Sequence, residues 1–477
     1  MSLELDYLFH PRSIAVVGAS TDPQQQGHSF LKLHLNNGFK GKVYAVNPKA
    51  KEILGVTSYS SLLDIPEEVD YVISCIPSGV VPQLIDEASR KGVKVVHLYT
   101  ARFSETGRQE DAQLEQEVLR RARASGIRVI GPNCMGIYYA REGLVFMDGF
   151  PKESGPVAML SQSGGNAVEL ISAASTRGVR FSKVISYGNA VDLNEADFLD
   201  YLADDPETRV ICASIEGTKD GRRLFQVLKR CTGQKPVVIM KAGRTGAGAK
   251  AVASHTASLA GSQQVWEAMC RQAGAVLVSS LEEQADALVT LHFLKPTVGV
   301  RVGIVGGSGG RSVASADQCE EAGLKVIPLP EDLRKKLRDE SPLLGDWVSN
   351  PTDTSILGGS SLTVCKVLAM MAEHPDFDIL IAHAGESFGL GRPGGVQRVL
   401  QTLDSYLAIG RSTAKPMAII LGDSLVENER QRETIVEMRR RCIEAGVATF
   451  PTVSRAARAL RMFGDYFRHR AEADSFK

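Results

Sequence analysis

The chain has 477 residues, enough for about three domains that each bury a core. Its 55 Lys and Arg balance 55 Asp and Glu, so no long-range field favours nucleic acid or an anionic membrane, and an anionic ligand must be held by local groups. No apolar run approaches the roughly 20 residues that span a bilayer, the acidic N-terminus is unlike a secretory signal, and the eight cysteines include no C-x-x-C pair; this usage predicts reduced thiols and a cytoplasmic protein.

Three times an apolar run of strand character enters a turn of small residues and then a helical pattern. These are SIAVVGAS at 13–20, PVAMLSQSGG at 156–165 and RVGIVGGSGG at 301–310. They recur roughly 145 residues apart, close to the size of one domain, so each opens its own α/β unit. Further strands are predicted at 42–46, 71–75, 94–98 and 128–130, with crossover helices at 81–91 and 110–124. The second unit has strands at 183–186, 209–215, 236–240 and 275–278, and the third at 325–327, 379–383, 417–421 and 449–450. Buried strands alternating with helices predict doubly wound parallel sheets, giving an α/β chain of three domains over 1–140, 150–296 and 300–470. A basic amphipathic helix over 454–470 reads as a closing core helix.

In open α/β sheets ligands collect at the carboxyl ends of the strands. In the first domain those positions are Gly18, Ala19 and Ser20 with Gly27, then Asn47 and Pro48, Ile76, Pro77 and Ser78, the segment 100–107 with Arg102, and Gly131-Pro132-Asn133-Cys134. There is no G-x-G-x-x-G, and Asn47 and Pro48 stand where a nicotinamide-binding domain places an acid. Both observations argue against NAD and for a related nucleotide such as the ADP moiety of coenzyme A. No histidine follows Cys134 closely, so its Pro-Asn-Cys setting reads as a tight turn rather than a nucleophile.

The second domain offers Ser161, Gln162, Ser163, Gly164 and Gly165 at a predicted helix start, where backbone N–H groups and the helix dipole favour phosphate. Gly309 and Gly310 repeat this in the third. His255 lies in the run 241–261, which has no period of 2 or 3.6 and is expected to be a flexible loop presenting an imidazole. A neutral imidazole on a mobile arm suits phosphoryl relay between two sites. Glu216, a carboxylate ending an apolar strand, is expected to bond one ring nitrogen, and Asn189 in the turn 186–193 to position the carrier loop.

Taken in order, GPNC at 131–134, SQSGG at 161–165, SYGNAVDL at 186–193, IEG at 215–217, SHTASLAG at 254–261, GGSGG at 306–310 and NPTD at 350–353 resemble the α subunit of the NDP-forming acyl-CoA synthetases. This is the superfamily of succinyl-CoA synthetase and ADP-forming acetate–CoA ligase, and the resemblance covers nearly the whole chain. It implies a Rossmann-like domain that binds coenzyme A, followed by two flavodoxin-like domains. It implies the reversible reaction acyl-CoA + phosphate + ADP ⇌ acid + CoA + ATP, through acyl phosphate and a phosphorylated His255 steadied by Glu216. The helix beginning at 163–166 is then one of two that hold the phosphate, and the third domain resembles the one that supplies the other.

No stretch has the look of an ATP-grasp domain. A separate ATP-grasp β subunit is therefore expected to bind ATP or ADP with Mg²⁺, in an α2β2 hetero-oligomer with no nucleic-acid or membrane partner. Two residues depart from the family pattern. Ala257 replaces a glycine, and Arg102 replaces glycine or another small residue where the acyl group is expected to approach the CoA thiol. Arg102 is expected to hold a second anionic group on a small carboxylic acid, such as a distal carboxylate or sulfonate; a solvated arginine is the plainer reading. The alternative function is a catalytically silent CoA-binding regulatory protein, against which an intact His255 and Glu216 argue.

Overall fold

The computed structural model describes residues 2–256, 261–357, 362–384, 394–422 and 428–475, and within them all side chains but those of 2–4, 253–256 and 473–475. The described residues form three sheets. The first contains β1 (Ser13–Val17), β2 (Lys42–Val46), β3 (Glu52–Ile53), β4 (Val56–Tyr59), β5 (Tyr71–Ser74), β6 (Val95–Leu98) and β7 (Arg128–Ile130), in the order β3-β4-β2-β1-β5-β6-β7. The second contains β8 (Gly136–Tyr138), β9 (Val157–Ser161), β10 (Phe181–Ser186), β11 (Val210–Ile215), β12 (Val237–Lys241) and β13 (Val276–Val278), in the order β13-β12-β11-β9-β10-β8. The third contains β14 (Arg301–Val305), β15 (Lys325–Val326), β16 (Ile379–His383), β17 (Met417–Ile420) and β18 (Ala448–Phe450), in the order β15-β14-β16-β17-β18.

All ladders are parallel except β3–β4 and β8–β10. The central strands β1, β9 and β11 are buried along their whole length, which is why they read as unbroken apolar runs rather than alternations. Short elements escape a pattern search. The β3–β4 hairpin turns through Leu54 and Gly55 at φ 53° and 80°, the left-handed pair a tight hairpin needs. The three residues of β8 fall at the end of the expected first domain, where no strand was predicted.

An arginine–aspartate clasp ties the starts of neighbouring strands in two of the sheets. Arg12, just before β1, donates from its backbone N and its Nε, both at 2.9 Å, to Asp70 at the head of β5. Arg301 and Asp378 repeat the contact between β14 and β16 at 2.9 and 3.0 Å. Asp70, its carboxyl held at about 2 by Arg12 hydrogen bonds, is thereby an ionised anchor.

The chain divides into two compact units. One comprises residues 1–175 and 179–284, and so holds the first two sheets; the other comprises 176–178 and 285–477 and holds the third. The second unit begins at Ala285, inside the helix Leu281–Phe293. In it Arg177 is buried, donating to Thr449 O at 2.6 Å and to Asp286 at 2.5 Å and lying 4.9 Å over the Phe450 ring.

Within the first unit the two sheets are stitched together. Strand β8 follows the first sheet in sequence but runs antiparallel to β10 of the second, pairing Gly136 with Ser186 and Ile137 with Ile185. The turn after β10 then lies along the turn after β7: Asn189 N bonds Pro132 O and Val191 N bonds Gly131 O, both at 3.0 Å. Asp192 receives Arg128 Nε at 2.8 Å and Val129 N at 3.0 Å. Gly188, at φ 55°, approaches so closely that a Cβ there would overlap the Pro132 and Asn133 carbonyls. Gly188→Ala is therefore expected to destabilise the first unit by roughly 3 kcal/mol, read as a fall in its denaturation midpoint, because neither backbone can yield without opening the stitch.

Candidate active site

Four strand ends of the first unit surround one cavity of about 840 Å³. After β5 come Cys75, Ile76, Pro77 and Ser78; after β6, Tyr99, Thr100, Ala101 and Arg102; after β7, Asn133, Cys134 and Met135; after β9, Gln162, Ser163, Gly164 and Gly165, with Gln25 and Arg108 completing the wall. Among the described residues the wall holds two arginines and no carboxylate, an electrostatic setting of the right sign for a polyanion. The helix Gly164–Ser175 begins at this wall. Ser163 caps it, its Oγ accepting from Asn166 N at 3.4 Å, and Gly164 leaves room for Met135, which a Cβ there would overlap. The positive end of the helix thus opens onto the cavity.

The cavity gathers Ile76, Pro77, Ser78, Arg102, Asn133, Cys134, Gln162, Ser163, Gly164 and Gly165 from two different sheets. Other expected site residues do not line it, and their bonds explain why. Ser161 is fully buried and donates its hydroxyl to Ser163 O at 2.6 Å, which uses the single proton expected for phosphate. Gly18, Ala19 and Ser20 form the tight turn after β1, where Gly18 at φ 88° faces Cys75 O and a Cβ on Gly27 would overlap Gly18 O. Asn47 holds that turn from the side, Nδ2 on Ala19 O at 2.7 Å and Oδ1 receiving Lys49 N at 2.8 Å, with Pro48 between them. Cys134 is buried, and desolvation raises its thiol far above the usual range, which rules it out as a nucleophile at neutral pH.

Asn189 is also absent from the wall. It is buried behind it, and its Nδ2 donates to Glu105 at 2.7 Å and Glu115 at 3.1 Å. These bonds brace the turn after β6. Gly309 and Gly310 open the helix Gly309–Glu321 of the second unit. There the repeat of motif is not a repeat of environment, because a Cβ on Gly309 would come 3.0 Å from Asp353 Oδ2, so a carboxylate already faces that helix start.

A model of the CoA binding domain matches residues 12–140, and one of the succinyl-CoA ligase like flavodoxin domain matches 154–291. The α subunit of ADP-forming acetate–CoA ligase II of Pyrococcus furiosus is 40% identical over 379 residues, 79% of this chain and 82% of that one. ADP-forming acetate–CoA ligase I of Archaeoglobus fulgidus is 36% identical over 465 residues, 97% of this chain but 64% of the relative's length. The chain belongs to the ADP-forming acid–CoA ligase family. A solved structure of the dinucleotide forming acetyl-coenzyme A synthetase 1 of Ca. Korarchaeum cryptofilum, in complex with phosphate and ADP, superposes with a TM-score of 0.79 at 32% identity, covering 98% of both chains.

In this ligase chain Gln162 has a task its motif did not reveal. Its Oε1 accepts from Glu216 N and, at 2.9 Å, from Gly217 N, so the loop at the helix start grips the turn after β11. Glu216 is buried, and its carbonyl receives Lys241 Nζ at 2.8 Å. Lys241 ends β12 in register with Ile215, buried 5.4 Å over the Trp266 ring. Desolvation lowers its ammonium to about 8, opposed by the Glu216 charge.

The segment bearing His255 is a helix, Gly246–Thr256, where a loop was expected. Thr245 starts it, its Oγ1 accepting from Gly248 N at 3.1 Å and its carbonyl from Ala249 N at 2.8 Å. Alternate alanines at 247, 249, 251 and 253 supply helix propensity without an apolar stripe, so periodicity gave no sign of it. This helix lies against the turn Ser104–Thr106 that follows Arg102. The His255 side chain and Ala257 are outside the described residues.

Gln162→Met keeps the length but removes the acceptor. Leaving two buried N–H groups unpaired is expected to destabilise the unit by about 2–4 kcal/mol in chemical denaturation. Lys241 gives a pH test: between about 8 and the ordinary 10.5 the unfolded chain holds the Lys241 proton that the folded one has lost, so the Lys241 contribution to stability rises with pH across that window, against the opposite contribution of buried thiols such as Cys134 and Cys212, whose raised values make stability fall there. The Lys241 share is on the order of 3 kcal/mol, and it is expected as a steeper fall of the denaturation midpoint with pH in Lys241→Met than in the wild type.

Proposed function

We propose that this chain is the α subunit of an ADP-forming acid–CoA ligase, catalysing acyl-CoA + phosphate + ADP ⇌ acid + CoA + ATP together with a separate nucleotide-binding β subunit. The observation that carries the reading is the cavity, lined by no carboxylate among the described residues, that strand ends of the CoA-binding domain share with the start of the helix Gly164–Ser175. Its volume suits a ligand of coenzyme A's class. Ile76, Pro77 and Ser78 are assigned to the pantetheine arm, and Asn133 and Cys134 to the thiol end. The turns at Gly18, Ala19, Ser20, Asn47 and Pro48 are assigned to the nucleotide end beside β1 and β2. Backbone N–H groups of Ser163, Gly164 and Gly165 face the phosphate that displaces the thiolate from the thioester carbonyl.

His255 then attacks phosphorus, the carboxylate leaves as the free acid, and the phosphoryl group passes to ADP, restoring the neutral imidazole. Glu216 is assigned the ring nitrogen that does not attack, holding the tautomer. Gln162 keeps that acid in register with the phosphate loop. The position of the His255 helix against Ser104–Thr106 supports a transfer that starts beside the cavity. Gly309 and Gly310, which open the helix Gly309–Glu321 beside Asp353, are assigned phosphate binding on the family resemblance alone.

On the family resemblance, the metal and the nucleotide are assigned to an ATP-grasp β subunit in an α2β2 assembly, in the cytoplasm. No helix of the described residues is long and apolar enough to cross a membrane. Labelling decides the function. With a co-expressed β subunit and γ-labelled ATP, the chain is expected to gain acid-labile, base-stable phosphate that is lost on adding acid and CoA and never forms in His255→Asn. CoA binding with no label would identify a silent CoA-binding regulator instead.

A further inference from the structure

The turn after β6 carries a feature of the cavity that the mechanism leaves unused. Arg102 stands at φ 74°, a left-handed conformation that favours glycine. The turn cannot relax, because the Glu105 carboxylate accepts from Arg102 N, from Phe103 N at 3.0 Å and from Asn189 Nδ2 at 2.7 Å. Glu115 accepts from Ser104 Oγ at 2.7 Å, and the Phe103 ring is fully buried. An arginine is thus held at a strained backbone position on the wall of a cavity that no carboxylate of the described residues lines.

The two cavity arginines differ. Arg108 is committed, with Nε on Asp111 at 2.8 Å. The Arg102 guanidinium donates no hydrogen bond to a described residue; Asp111 acts on it only through charge, while that carboxylate bonds Thr106 and Arg108. Sheet order fixes which end of the cavity Arg102 serves. Strand β6 lies two places from β1 and next to β7, and the turn after β7 brings Met135 against Gly164 at the helix start. Arg102 is therefore at the acyl end, away from the β1–β2 edge.

We propose that Arg102 is a specificity-determining residue whose guanidinium receives a second anionic group, a carboxylate or sulfonate at the far end of the acid from the reacting carboxyl. This rests on the ligase reading above. The planar fork matches either anion with two parallel hydrogen bonds, and an acid without such a group would leave the fork to water.

The test is calorimetric binding of CoA and of straight-chain acyl-CoA pairs of equal length, with and without a terminal carboxylate (propionyl and malonyl, butyryl and succinyl, valeryl and glutaryl). The whole chain is compared with Arg102→Gly, a substitution suited to the observed φ. In the wild type at least one carboxylated member is expected to bind roughly 10- to 100-fold tighter than its partner. Arg102→Gly is expected to abolish that ratio, the carboxylated thioesters losing the roughly 10- to 100-fold advantage in addition to whatever smaller factor CoA and the thioesters without a terminal carboxylate lose in common. Equal binding within every pair overturns the assignment, as does a parallel loss for CoA and all thioesters, which would give the guanidinium to the CoA phosphates. Unaltered thioester binding with slower labelling of His255 overturns it too, in favour of a contact with the phosphoryl group. If CoA itself does not bind, the ligase reading falls and this inference with it.

Discussion

The first unit depends on how the turn Tyr187–Leu193 is pressed against the end of β7. A backbone approach that only glycine permits at 188 brings Asn189 N onto Pro132 O at 3.0 Å, and the Asn189 side chain continues across to Glu105 and Glu115. Lys219, from the turn after β11, closes the same knot by donating to the carbonyls of Asn189 and Ala190 at 3.0 and 2.9 Å. Because these bonds link turns after β6, β7, β10 and β11, they align the strand ends of two sheets. A cavity shared between a CoA-binding domain and a flavodoxin-like domain exists only when that alignment holds.

The electrostatics divide cleanly around this knot. On the cavity side stand two guanidiniums and a helix start, with no carboxylate. Behind it are Glu105 and Glu115, whose carboxylates accept from the backbone N–H groups of Phe103 and Ser104, and Glu216, whose own N–H donates to Gln162 Oε1. The acids shape the turns from within and keep their charge off the ligand face. This placement lets one small region attract a polyanion and still hold several buried or half-buried carboxylates, each compensated by hydrogen bonds.

The motifs were visible as motifs, but their division of labour was not. SQSGG read as five phosphate contacts; folded, Ser161 braces Ser163, Gln162 clamps the Glu216 turn from the cavity wall, and Ser163, Gly164 and Gly165 line that wall beside it. SYGNAVDL read as a positioner for a carrier loop; folded, it also forms the seam between two sheets. GGSGG read as a copy of SQSGG, yet Asp353 faces it. In each case a side chain's partner lies far away in sequence, 54 residues in the case of Gln162 and Glu216, a separation at which local pattern carries no information.

What the sequence by itself determined is the local part: the α/β class, three sheets, nearly every strand and the turns on which the chemistry is built. Those follow from apolar runs, helical periods and small residues at strand ends, all of which act within a few positions along the chain. Tertiary structure alone decided that β8 joins the second sheet, that the His255 segment is helical without an amphipathic face, and which strand-end residues reach the cavity. These outcomes depend on which backbone groups find partners across the fold, and hydrogen bonds between distant turns leave no periodic trace in the residues that make them.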